Sequence, residues 1–264
     1  MKIIVCIKQV PETSEVKIDP KTNTLVREGV PSIINPFDMY AIEEAIRLKE
    51  RYGAKTLVLT MGPPQAEDAL REALSIGIDE AIHLCDRAFA GSDTWATSLV
   101  LANAIRKIGD FDLIICGKQA SDGDTAQVGP GISSHLDIPQ ATYVRKIDSI
   151  DLEARKIRVE RLVEDGYEIL ELMLPALITV VKEINEPRLP SLKGKLRAKK
   201  QAIPRWGVKD IKLEEGKVGL QGSPTQVVRI FTPPPKTGAV LWEGDPEELA
   251  KKLAKVIKEL IWKG

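Results

Sequence analysis

The chain has 264 residues, with 38 Lys and Arg against 38 Asp and Glu, so its formal net charge is zero. That length suffices for one large α/β domain with additions, and the balanced charge supplies no global field to draw in nucleic acid or an anionic membrane. Three scattered cysteines (Cys6, Cys85, Cys116) and two histidines (His83, His135) form no CxxC pair and give a transition-metal site little to work with.

The first residues, MKIIVCIKQV, hold too short an apolar stretch for a signal-peptide core and read as a first strand. No run approaches the ~20 apolar residues of a spanning helix, and buried thiols suit a reduced compartment. The expectation is a cytoplasmic protein.

Residues 2–7 read as a buried strand. Residues 38–51 follow as a helix, with Ala41, Ile42, Ala45, Ile46 and Leu48 at helical spacing. A strand at 56–60 and a helix at 64–76 come next, with proline in the helix's first turn. Then come a strand at 80–84, a helix capped by Ser92 or Asp93 and running to about 107, and a strand at 113–116. A helix at 125–135 and a strand at 141–144 complete the alternation.

This pattern predicts an α/β fold: a Rossmann-like, mostly parallel sheet with helices on both faces. Ligands of such sheets bind beyond the carboxyl ends of the strands, which selects the loops after residues 7, 60, 84 and 116. Runs 156–163 and 167–174, joined at Glu164-Asp165-Gly166, read as an added β-hairpin. It either extends the sheet edge or meets a ligand. Residues 176–181 are one more buried strand.

Beyond residue 182 the chain reads as irregular. Residues 183–204 carry Pro187, Pro190 and Pro204, and Pro233-Pro234-Pro235 marks an extended stretch. Asp245 opens a last helix over 246–262, with Leu249, Leu253, Val256, Ile257 and Leu260 on one face. The expected organisation is an α/β domain with its hairpin over 1–182, a loop over 183–205, and an extended C-terminal arm ending in a helix over 206–264.

The stretch GKQASDGDTAQVGP, residues 117–130, lies between a strand and a helix. Asp122 and Asp124 are candidate N-caps, and Gly123 permits a tight turn. Unpaired amides of a first turn at Thr125, Ala126, Gln127 and Val128 would favour a phosphate. Small Ala126 and Gly129 would let a ligand approach the backbone. The stretch contains neither GxGxxG nor GK[ST], and an ordinary capped helix explains it as well as a phosphate cradle does.

GxSxG, HExxH and an adjacent Cys–His pair are missing, and both histidines read as structural. The residues point to a binder of a nucleotide-like cofactor whose chemistry is the cofactor's own. The basic stretch 193–205 (KGKLRAKKQAIPR) reads as a solvated face or as a dock for an acidic partner; without interleaved aromatics it lacks a base-stacking platform.

Five stretches, VCIKQVPET, NPFDMYAIEEAIRLKE, MGPPQAEDALREALSIGIDEA, GKQASDGDTAQVGP and INEPRLPSLKGKLRAKK, together resemble the beta subunit of electron-transfer flavoproteins nearly end to end. The resemblance implies a heterodimer with an alpha subunit that carries the electron-transferring FAD, embraced by the C-terminal arm of beta. It implies a nucleotide site at Cys6; at Asn35, Pro36, Phe37 and Asp38; at Met61 and Gly62; and at Gly117, Lys118, Gln119, Ala120, Ser121, Asp122, Gly123, Asp124, Thr125, Ala126, Gln127 and Val128. Simple carriers hold AMP there; electron-bifurcating members hold a second FAD.

DGDTAQVGP, MGPPQAE and DRAFAGSDT resemble the bifurcating type. Mitochondrial-type carriers have a motif close to DDDxNQTG, with Asn in place of Ala126 and Thr in place of Val128. In the bifurcating mechanism NADH gives a hydride to the beta-bound FAD. One electron then goes to ferredoxin or flavodoxin, and the other passes through the alpha FAD to a dehydrogenase or quinone-linked acceptor. Residues 181–202 resemble the family's recognition loop for partner dehydrogenases, with Leu192 in its anchoring position and Lys199 and Lys200 in its basic tail. Pro190 and Gly194 depart from that loop's pattern.

Overall fold

The computed structural model describes residues 1–12, 31–228 and 241–261. Apolar runs bounded by turn residues form strands, and amphipathic stretches between them form helices. In chain order the elements are β1 (Lys2–Cys6), β2 (Gln9–Pro11), β3 (Ser32–Ile34), α1 (Pro36–Tyr52), β4 (Lys55–Met61), α2 (Glu67–Ile76), β5 (Glu80–Leu84) and α3 (Thr94–Ile108). These are followed by β6 (Leu113–Gly117), α4 (Val128–Leu136), β7 (Gln140–Asp151), β8 (Lys156–Val163), β9 (Gly166–Met173) and β10 (Ala176–Val180). Last come α5 (Leu192–Lys200), β11 (Arg205–Trp206) and α6 (Pro246–Ile261).

Local chemistry sets several boundaries. Pro36 opens α1, where a missing N–H costs nothing, and Gly53 ends it in the left-handed region at φ 64°. Asp93 caps α3 by accepting the Ala96 N–H at 3.0 Å.

Nine strands form one sheet in the order β11-β5-β4-β1-β6-β10-β7-β8-β9. Pairing is parallel from β11 to β7 and antiparallel through β8 and β9. The sheet is thus mostly parallel, as expected, and the hairpin extends its edge. Strand alternation splits β1: Ile3 and Val5 pack with α1 and α2, while Ile4 and Cys6 pack with α3 and α4. Helices therefore cover both faces.

Away from the loop after β6, the sequence-based expectations differ from the structure in four places. The strand expected at 141–144 runs on to Asp151 through two register irregularities with β8. Residues 183–204 contain the helix α5, so that stretch is not wholly irregular. The small β2–β3 sheet and the edge strand β11 had no clear sequence signal. The first structural unit extends to Val228, and Val208, Ile211 and Val218, expected in the arm, are buried in it.

Residues 229–264 form a separate unit. Its described helix α6 exposes Leu253, Val256, Ile257 and Leu260; Pro233-Pro234-Pro235 and Trp262 lie outside the described residues. Among the described residues, no helix is long and apolar enough to cross a membrane.

Candidate functional site

The carboxyl ends of β1, β4, β5 and β6 share one edge of the sheet, and most of the expected site residues gather there. Two side chains at the start of α1 organise it. Asn35 is 1% exposed; its Nδ2 donates to the Gln119 carbonyl at 2.8 Å, and its Oδ1 accepts the Ser121 N–H at 3.0 Å. Asp38 accepts the Lys8 N–H at 2.7 Å on Oδ2 and the Gly117 N–H at 3.2 Å on Oδ1. Burial raises the Asp38 carboxyl to a pKa of about 7, against the opposing pull of those amides, Asn35 and the Lys8 charge. A Cβ at Gly117 would collide with the Asp38 carboxylate and the Phe37 backbone, which is why glycine ends β6.

The loop after β6 differs from the expected first helical turn. Helix α4 starts at Val128, and its N-cap residue Gln127 makes no side-chain cap hydrogen bond. Neither aspartate caps it. Both Asp122 oxygens accept from the Lys8 ammonium, at 2.6 and 2.8 Å, and Asp124 accepts from the Gln119 amide. Asp124 and Ala126 both take φ 53°; for alanine that is an uncommon conformation with a cost.

Ala126 at positive φ followed by right-handed Gln127 (φ −102°, ψ −24°) is a left-then-right pairing of the kind found in backbone nests. Among the described residues, the amides of Thr125, Ala126, Gln127 and Val128 have no hydrogen-bond acceptor outside regular helix and strand bonding. Gly129 serves packing rather than ligand approach, since a Cβ there would lie 2.6 Å from Thr179 Cγ2.

On the β4 side, Gly62 follows Met61, and its carbonyl lies 3.1 Å from His83 Nε2. His83 is fully buried, and burial pushes its pKa down, so a neutral imidazole props the loop in keeping with the structural role expected of it. Cys6 is buried opposite Cys116, its register partner on β6. The Cys116 thiol is pushed up by its hydrogen bond to Cys6 and by burial, so it stays protonated.

The Lys118 ammonium lies 5.7 Å from the Phe37 ring centroid and 5.0 Å from that of Tyr143. Three residues at this edge escaped the sequence reading. Lys8 could have been found as the cation closing an apolar strand. Thr94, whose hydroxyl donates to Gln127 Oε1 at 2.9 Å, could have been found as the first residue after a cap. Tyr143, at φ 60°, carries no sequence signal for that conformation.

The expected partner-facing residues sit on α5, apart from this edge. Leu192 is 77% exposed, and Lys199 and Lys200 are exposed in the last turn. Ser191 caps the helix by accepting the Gly194 N–H at 3.0 Å. Arg197 donates to the Leu74 and Ile78 carbonyls at 2.7 and 3.1 Å, and Arg71 on α2 donates to the Ala198 carbonyl at 2.8 Å. Arg205 pairs with Glu67 at 2.6 Å. The basic stretch is therefore only partly a solvated face, because exposed Arg197 and Arg205 are tied to the end of α2 and to Glu67. Upstream, Arg188 grips Glu43 and Glu50 on α1.

A mostly parallel, doubly covered sheet with an amide-lined loop at its carboxyl edge defines a Rossmann-like α/β protein. Residues 22–211 match the family model described as "Electron transfer flavoprotein domain". The chain is 53% identical to the electron transfer flavoprotein subunit beta of Thermoanaerobacterium thermosaccharolyticum, over 96% of each chain. It is 51% identical to the caffeyl-CoA reductase-Etf complex subunit CarD of Acetobacterium woodii, over 98% of each. It is 50% identical to protein FixA of Azorhizobium caulinodans, over 88% of this chain and 85% of that one. The chain belongs to the electron transfer flavoprotein family, among its beta subunits.

Proposed function

We propose that this beta subunit pairs with an alpha subunit and holds FAD at the carboxyl edge of its sheet, in an NADH-oxidising, electron-bifurcating complex. The nest at residues 126–128 carries the reading. Strained backbone and amides without acceptors are what a phosphoryl group would use, and Gly117 lets the end of β6 pack directly against the start of α1. The residues present fit the phosphate-bearing end of such a cofactor. The amides of Ala126, Gln127 and Val128 would take phosphoryl oxygens, and Thr125 and Gln127 would offer side-chain hydrogen bonds beside them. When bound, a flavin accepts a hydride and releases electrons singly.

The bifurcating reading draws on Ala126 and Val128, which leave more room than the Asn and Thr of simple carriers. It also draws on the likeness to CarD, named for a reductase complex, and to FixA. Electrons would leave toward ferredoxin or flavodoxin, and through the alpha subunit toward a dehydrogenase or quinone-linked module. Leu192, Lys199 and Lys200 would meet that acceptor.

The test is cofactor extraction from the co-expressed pair. Two flavins per heterodimer are the expected result. One flavin plus AMP would make the chain a simple carrier subunit, and an alpha flavin with no second nucleotide would overturn the site.

A further inference from the structure

We propose that Asn35 and Asp38 are positioning residues for the nucleotide loop and that neither touches the ligand. This rests on the nucleotide reading above and revises how those two residues serve it. All four of their side-chain polar atoms are committed within the protein: to Gln119 and Ser121 for Asn35, and to Lys8 and Gly117 for Asp38. Asp38 is 5% exposed. The Asn35 N–H also donates to the Lys8 carbonyl at 2.8 Å, so the first turn of α1 is tied to the end of β1 as well as to the loop after β6.

Lys8 closes the circuit. Its amide is held by Asp38 and its ammonium holds Asp122. The loop that carries the nest is therefore fixed at Gly117, Gln119, Ser121 and Asp122 before it reaches Ala126. A shift in that frame would misalign the amides without removing any ligand contact, and small misplacements weaken binding strongly.

Asp38 gives the device a measurable signature. Two amides need two acceptor oxygens, and only the ionised carboxylate supplies both without a competing proton. The titratable groups facing it are Lys8 and the Cys116 thiol. With Asp38 titrating near 7, nucleotide affinity falls as pH drops through that value. Asp38→Asn keeps the shape but presents one acceptor and one opposing donor, so it removes both the grip and the titration.

The experiment uses the heterodimer stripped of its beta nucleotide and titrated with FAD from about pH 5.5 to 8.5, roughly 1.5 units either side of the Asp38 value. Amide hydrogen exchange is followed at Lys8 and Gly117. The wild-type pair should bind FAD less tightly below pH 7. The Asp38→Asn pair should bind about tenfold more weakly at pH 8, show a flat profile, and exchange both amides faster while empty. Asn35→Ala should weaken binding while keeping the acid limb.

An Asp38→Asn pair that binds FAD as tightly as wild type, or keeps the acid limb, overturns the inference. Weakened binding with unchanged exchange at both amides also overturns it, since that marks a direct contact. A wild-type pair that takes up no FAD sinks the nucleotide reading, and this inference with it.

Discussion

At the scale of single residues, carboxylates in this protein respond to acid in opposite directions. Burial raises Asp38 from 3.8 to about 7, so the folded state keeps a proton that the unfolded chain releases. Its contribution to stability is complete below 3.8 and is lost as pH rises through about 7. Burial alone would raise Glu43 and Asp79, but hydrogen bonds from Arg188 to Glu43, and from Lys49 and Thr56 to Asp79, outweigh it. Their contributions are present above the unfolded values of 4.5 and 3.8 and disappear as pH falls through the lower folded ones. Urea midpoints should therefore hold or rise from pH 7 to 5 and drop steeply below about 4; Asp38→Asn should reduce any rise to what Glu44 and Glu72, also raised by burial, supply. Gly117→Ala should destabilise the chain by about 1–3 kcal/mol through overpacking, read from the same urea curves, and lower FAD uptake as well.

The residue scale also shows where sequence reading fell short. Asp122 and Asp124 look like helix caps because capping is a local rule. The Lys8 ammonium, 114 positions from Asp122, claims one of them instead, and no local pattern announces that pairing. The glycine at 117 was legible as part of a motif, while its clash partner Asp38 was not.

At the scale of elements, strands were the easiest features to read. Apolar runs such as LIIC and TLVLT permit little else between turn residues, and the loops they pointed to do lie together. The helix α5 was hidden because Pro190 and Gly194 flank or interrupt a basic, weakly periodic stretch. Such a short helix depends on tertiary contacts, here with the carbonyls at the end of α2. Ser191→Ala should cost about 1 kcal/mol, seen as faster exchange of the α5 amides. Leu192→Ala should slow electron delivery to an acceptor dehydrogenase while leaving nucleotide content unchanged, measured by acceptor reduction and by extraction. Slower delivery together with lost nucleotide would remove Leu192 from the partner surface.

At the scale of the whole molecule, the described chain has two units with different duties. The first carries the sheet and its edge. The second presents an amphipathic helix that exposes Leu253, Val256, Ile257 and Leu260 among the described residues. A chain ending at Val228 should still unfold cooperatively in urea yet fail to co-elute with the alpha subunit in size-exclusion chromatography. Continued co-elution would place the pairing surface on the first unit.

The strand order carries a consequence for synthesis. β10 lies between β6 and β7, although both emerge from the ribosome before it. In a nascent chain β6 therefore lacks its β10 partner while the hairpin is made. At about 5–20 residues per second this wait lasts on the order of several seconds. During it the apolar LIICG strand offers an unpaired edge to anything nearby. Early termination anywhere before Ala176 would leave that edge permanently bare, and such fragments should aggregate rather than persist as a smaller domain.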